Sequence, residues 1–114
     1  MANRLLDQIQ NGDIRLPTTS AVLLELGAAL SKVTHRAGAA IIIRELQAAE
    51  RVEVIHVSGD LLEKGLALFE RRLDKEWSLA DCVSFEVMAQ RNLACALTAD
   101  AHFAQAGFVA LLNA

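Results

Sequence analysis

Aromatic residues make up only 4% of this 114-residue sequence, whereas 54% of it is hydrophobic. Its core must therefore be filled by Leu, Ala, Val and Ile. The hydrophobic share exceeds the roughly 45–50% of an ordinary soluble domain, a surplus in keeping with apolar surface buried against a partner. Cysteine is rarer still. Cys82 and Cys95 stand 13 residues apart in apolar stretches, with no CxxC. That spacing does not suit a zinc site and is expected of buried free thiols in a reducing cytosol. No apolar run approaches the roughly 18 residues needed to span a bilayer. The opening "MANRLLDQIQ" is amphipathic, unlike the charged start and apolar block of a signal peptide. A cytoplasmic protein with no membrane contact is the expectation. The net charge is −3, so there is no overall basic footprint for nucleic acid. Arg36, Arg44, Arg51, Arg71, Arg72, Lys75 and Arg91 still leave room for a local patch. No P-loop, GxGxxG or Ser-His-Asp arrangement is visible.

The length suits one domain and is too short for two. Leu5, Leu6 and Ile9 form a short amphipathic helix that the turn "NGD" ends. "IRLPTT" reads as a strand, with Pro17 at an edge or terminus. Thr19 or Ser20 can cap the next helix, "SAVLLELGAALSKVTHR". "AGAAIIIRELQAAE" is a further helix, too long for a strand. "RVEVIHVS" alternates like a strand, and Ser58 caps "GDLLEKGLALFERRLDK", where Leu61, Leu62, Leu66 and Phe69 recur at helical spacing. A helix follows from Ser78 to about Arg91. Then come the strand "NLACALTAD", the helix or turn "AHFAQAG" and a last strand, "FVALL". Strands alternating with helices imply a parallel sheet flanked by helices, a three-layer α/β/α domain over residues 1–114.

Three carboxylates stand out. Ligands of parallel sheets sit beyond the carboxyl ends of the strands. Asp100 ends a strand, Asp81 lies in the first turn of a helix, and Glu25 lies on the helix that follows "LPTT". Clustered acids repel one another unless a cation lies between them, and hard oxygen donors suit Mg²⁺ or Mn²⁺. Such an ion activates water and neutralises charge on a phosphodiester. Each acid also has a plainer role. Ser78-Leu79-Ala80-Asp81 is a capping-box pattern, and Asp100 precedes a turn where Asp often bonds locally. Glu25 is the sole charge between Arg15 and Lys32. Near a core it would need compensation; the alternative is an exposed Glu above small alanines. His102 can touch a phosphate or simply sit in a surface loop, and Asp74 and Lys75 fall in a solvated turn. Asp60 suits a helix N-terminus. His35 and His56 have no constellation around them.

The stretch "SLADCVSFEVMAQRNLACALTADAHFAQAGF" resembles the C-terminal half of PIN-domain proteins, in particular VapC-type toxins of bacterial toxin–antitoxin systems. "LPTTSAVLLELGAAL" is similar to the family segment that carries an acid, and the likeness extends over essentially the whole chain. The resemblance implies an Mg²⁺- or Mn²⁺-dependent endoribonuclease, with Glu25, Asp81 and Asp100 as catalytic residues and metal ligands. It also implies supporting roles for Ser78 and Thr98 and a cognate antitoxin; substrate contacts at His102 and Lys75 and a homodimer are further expectations. Family members begin with a strand ending in Asp and a helix, before anything like "RLLDQIQ". The sequence starts after that strand, and Asp7 is no substitute, so an N-terminally incomplete domain is expected. The alternative is a catalytically inactive PIN-like module that binds an antitoxin or itself. A flavodoxin-like regulatory domain fits less well, because no acid pair lies near an early strand end.

Overall fold

The computed structural model describes residues 16–93, 95–96 and 101–110. The opening helix, Asp7, Thr98 and Asp100 lie outside these residues. The chain divides into two compact units, residues 1–56 and 57–114.

The first unit holds β1 (Leu16–Thr19), α1 (Ser20–Ala29), α2 (Val33–Ala48) and β2 (Val52–Ile55). β1 and β2 pair in parallel, from Leu16 against Val52 to Thr19 against Ile55. Parallel neighbours need a crossover connection, and the two helices supply it. Pro17 lies inside β1 opposite Glu53, where a two-stranded pair tolerates its missing N–H. Thr19, rather than Ser20, caps α1: its buried hydroxyl oxygen accepts from the Val22 N–H at 3.3 Å.

One expected boundary moves. The segment from Ser20 to Arg36 reads as one helix, yet the chain breaks between Leu30 and Lys32, and "VTHR" opens α2. Leu30 closes α1 through its N–H to the Leu26 carbonyl, and the Arg36 guanidinium reaches back to the Ser31 carbonyl at 2.9 Å. That bond ties the first turn of α2 to the connection before it. The break falls at residues without Gly or Pro, so the usual punctuation is missing. Gly38, the obvious breaker, continues within α2.

The second unit comprises α3 (Gly59–Arg71), α4 (Leu79–Gln90), β3 (Cys95–Ala96), α5 (Ala101–Gln105) and β4 (Val109–Ala110). β3 and β4 are parallel, Cys95 against Val109 and Ala96 against Ala110. Ser58 caps α3, its side chain accepting from the Leu61 N–H at 3.1 Å. Asp60 in the first turn pairs with Lys64 at 3.2 Å. Helix α4 is buried over much of its surface at Cys82, Val83, Phe85, Val87 and Met88. At its end Asn92 adopts φ 55°, and the N–H groups of Asn92 and Leu93 turn back to the Ala89 and Met88 carbonyls. That is a Schellman ending with Asn in the left-handed position. Gly107, at φ 95°, closes α5 in the same way: its own N–H bonds the Ala104 carbonyl and that of Phe108 the Phe103 carbonyl.

The core of this unit is Trp77, Cys82 and Phe85, with Leu68, Phe103, Ala106 and Phe108 packed against it. Phe85 is its hub. It meets Trp77 edge-on at 5.1 Å, Phe103 edge-on at 4.9 Å and Phe108 at 5.7 Å. Such ring pairs add about 0.5–1.5 kcal/mol each beyond burial. Few as they are, the aromatics therefore dominate here, where composition points to an aliphatic core.

Helices α3 and α4 approach each other closely at Gly65. A Cβ built there would lie 2.6 Å from Val83 Cγ2 and 3.2 Å from the Val83 backbone nitrogen. In an open helix, replacing Gly by Ala gains about 1 kcal/mol. Here the added methyl meets backbone, which cannot rotate away. Gly65→Ala is expected to destabilise the protein by about 1–3 kcal/mol through overpacking, measured by urea denaturation. The same change at exposed Gly38, where nothing lies within 4 Å of an added Cβ, is expected to be neutral or stabilising.

Candidate active site

Asp81 enters the structure through the start of α4. Ser78 and Asp81 form a reciprocal capping box: the Ser78 hydroxyl accepts from the Asp81 N–H at 3.0 Å, and Asp81 Oδ2 accepts from the Ser78 N–H at 3.1 Å. The capping role read from the spacing is thus present. It does not use up the carboxylate. His102 Nδ1 lies 2.9 Å from the same Oδ2, and the Asp81 side chain keeps 12% exposure. An ionised carboxylate only accepts hydrogen bonds, so Nδ1 carries the hydrogen of that contact. Both bonds converge on Oδ2. Among the described residues, Oδ1 takes no hydrogen bond.

The position of His102 depends on α5, whose side chains reach towards the neighbouring core. Phe103 packs edge-on against Phe85, and Gln105 Oε1 accepts from Trp77 Nε1 at 3.1 Å. The sequence reading leaves His102 in a surface loop or at a phosphate; the structure makes it half-buried and places it against Asp81. The partners are 21 residues apart in sequence, beyond the reach of local spacing rules. The available signal is the pair of short segments that the resemblance brings together, "SLADC" and "DAHF".

Glu25 lies midway along α1 in the other unit and is exposed. Of the two readings of its environment, the exposed one holds. The buried residue of α1 is Leu23, and Glu25 falls outside that face, so its charge stays solvated and needs no compensating partner. Among the described residues it makes no hydrogen bond or ion pair. Thr98 and Asp100 are not among the described residues, and within that set no three His, Cys, Asp or Glu side chains gather to hold an ion. Asp81 itself is well suited to a hard divalent cation: a carboxylate oriented by two donors on one oxygen, with the other oxygen taking no bond from the described residues.

Beside the buried core, Phe69, Arg72, Leu73, Lys75, Trp77 and Cys82 line a recess of about 100 Å³. Arg72 lies over the Trp77 ring at 5.0 Å and grips Asp74 with two bonds of 3.0 and 3.1 Å. Lys75 Nζ stands 3.9 Å from the same carboxylate. Cys82 is fully buried and free. Burial pushes its thiol pKa up, and the negative charges of Asp81 and Glu86 add to the effect. A thiol held protonated is a poor nucleophile at neutral pH.

The comparisons agree with this architecture. The family model for the PIN domain matches residues 2–109. The chain belongs to the PIN-domain family. Among relatives of this PIN domain is the 23S rRNA-specific endonuclease VapC20 of Mycobacterium tuberculosis. It is 36% identical over 93 residues, which cover 81% of this chain and 70% of the relative, in both the CDC 1551 / Oshkosh and the ATCC 25618 / H37Rv strains. The crystal structure of Mycobacterium tuberculosis VapC20, described as a sarcin-ricin loop cleaving toxin, superposes with a TM-score of 0.75 at 30% identity. That match covers 83% of this chain and 72% of the other. The α/β reading with parallel strands and flanking helices is therefore the PIN fold.

The grip of Arg72 holds the Asp74 carboxyl below the usual Asp value, chiefly through the hydrogen bonds, with Lys75 adding a smaller attraction. A lowered folded-state pKa contributes stability that is present above the unfolded value, about 3.9, and is lost as pH falls through the folded value. Both side chains are well exposed, so the contribution is small. Carboxyl titration by NMR is expected to place the Asp74 midpoint below that of a free Asp. Arg72→Lys, which cannot keep the two-pronged geometry, is expected to move it back upwards.

Proposed function

We propose that this chain is a divalent-cation-dependent endoribonuclease and the toxin of a toxin–antitoxin pair, with residues 1–114 forming one PIN-like domain. The observation that carries the reading is Asp81, whose carboxylate is oriented by Ser78 and His102 while its second oxygen takes no bond from the described residues, in a chain whose relatives are RNA endonucleases. Glu25, Asp81 and Asp100 are the proposed cation ligands, with Mg²⁺ or Mn²⁺ as the ion. When bound, such an ion makes water a stronger nucleophile at neutral pH and offsets charge on the phosphodiester. The protein's share is to hold the carboxylates oriented. Asp81 does so from a rigid helix start, with its backbone N–H tied to Ser78. Thr98 is the proposed second support for the acids, and Lys75 and His102 are the proposed substrate contacts. The substrate proposed is ribosomal RNA in the region of the sarcin–ricin loop, as for the relatives.

A cognate antitoxin and a homodimer are proposed as partners, in the cytoplasm. Exposed aliphatic side chains in the first unit support partner binding: Leu24 on α1, and Val33, Ile41 and Ile42 on α2. The same surface favours the second reading, an inactive module that binds an antitoxin or its own copy. Among the described residues no helix is long and apolar enough to cross a membrane.

Incubation of the full chain with an RNA carrying the sarcin–ricin loop, with Mg²⁺ or Mn²⁺, is expected to give cleavage that EDTA stops. Asp81→Asn keeps the cap's shape but removes the charge, and is expected to reduce the rate by on the order of 100-fold or more, since even supporting groups around an ion are worth 10–100-fold. A folded wild type that cuts no RNA under any cation, yet binds an antitoxin, would establish the second reading.

A further inference from the structure

The bond between His102 and Asp81 carries a role distinct from substrate contact. We propose that His102 is a positioning residue: it donates from Nδ1 to Asp81 Oδ2 and so fixes which carboxylate oxygen faces a bound cation. This rests on the reading of Asp81 as a cation ligand.

Three observations support it. First, the two donors that reach Asp81, the Ser78 N–H at 3.1 Å and His102 Nδ1 at 2.9 Å, both approach Oδ2. A carboxylate pinned by one donor can still swing about the Cβ–Cγ bond. A second donor, from a different element, removes that freedom and leaves Oδ1 in one orientation. Second, His102 is itself held in place. Its neighbours on α5 are anchored on both sides, Phe103 against Phe85 at 4.9 Å and Gln105 to Trp77 at 3.1 Å. The left-handed Gly107 then ends the helix and returns Phe108 to the same ring. The imidazole is delivered to Asp81 by a framework, rather than by a long flexible side chain. Third, the contact is only partly open to water, with 29% exposure at His102 and 12% at Asp81, so its directional effect is less diluted by solvent. Groups that hydrogen-bond a metal ligand orient it, and losing one lowers metal affinity by about 10–100-fold.

The decisive measurement is Mn²⁺ binding to the RNA-free full chain, by electron paramagnetic resonance of the free ion. Four variants are compared with the wild type, and circular dichroism verifies folding in each. His102→Ala is expected to raise the Mn²⁺ dissociation constant about tenfold, the low end for lost support of a ligand. His102→Asn presents an amide N–H close to the position of Nδ1 and is expected to recover part of that loss. Gln105→Ala cuts a polar tie of α5 to Trp77 without touching the carboxylate, and is expected to leave Mn²⁺ affinity unchanged. Asp81→Asn is expected to lose the ion.

If His102→Ala binds Mn²⁺ like the wild type while Asp81→Asn does not, the positioning role is wrong and the metal-nuclease reading stands. A loss in Gln105→Ala equal to that in His102→Ala, or no recovery with Asn, would show that His102 only anchors α5, and would likewise overturn the proposal. A raised KM for RNA at saturating Mn²⁺, with ion affinity intact, would make His102 a phosphate contact instead. A wild type that binds no Mn²⁺ sensitive to Asp81→Asn removes both readings.

Discussion

The second unit depends on the exchange of two hydrogen bonds between Ser78 and Asp81 at the start of α4. A helix leaves its first N–H groups without internal partners, and here two main-chain donors are satisfied by side chains three residues apart. With the start fixed, the next turns face inward in a set order: Cys82 and Val83, then Phe85, then Val87 and Met88. Val83 meets the bare backbone of Gly65, while Phe85 collects Trp77, Phe103 and Phe108 around it. The cap thus sets the rotational phase of α4, and that phase decides which residues form the core.

The same carboxylate serves architecture and chemistry without conflict because its two oxygens divide the work. Oδ2 accepts from the helix start and from His102, and Oδ1 takes no bond from the described residues. A group that is structural through one atom and reactive through another needs a rigid backbone beneath it, since any swing exchanges the atoms. This is why a helix terminus is a better mount than a loop for such a residue.

What could be read from the sequence was local. Thr19, Ser58 and Ser78 reveal themselves as caps because the bonds they make span three residues, and the order of strands and helices follows from periodicity. The interruption at Leu30–Lys32 lacks Gly or Pro and so stays hidden until Arg36 is seen reaching back to Ser31. The environment of Glu25 was ambiguous for a different reason: α1 is apolar around most of its circumference, so its pattern does not say which side faces the core. The intimacy of Gly65 and Val83 and the bond from His102 to Asp81 are tertiary facts, set by how α3, α4 and α5 meet. Of the proposed acids, Asp81 and Asp100 stood out first by their places at a helix start and a strand end and then through the family resemblance, and Asp100 lies outside the described residues.

The chain has a single tryptophan, and it occupies an informative place. Trp77 is 5% exposed, edge-on to Phe85, beneath the Arg72 guanidinium and bonded through its indole N–H to Gln105. An indole so enclosed emits at shorter wavelength than one in water, and its emission shifts when that enclosure opens. Since Gln105 belongs to α5, the natural fluorescence of the protein follows the docking of α5 onto the start of α4. The chain carries a label-free optical gauge of the short helix that delivers His102, and the gauge belongs wholly to residues 57–114.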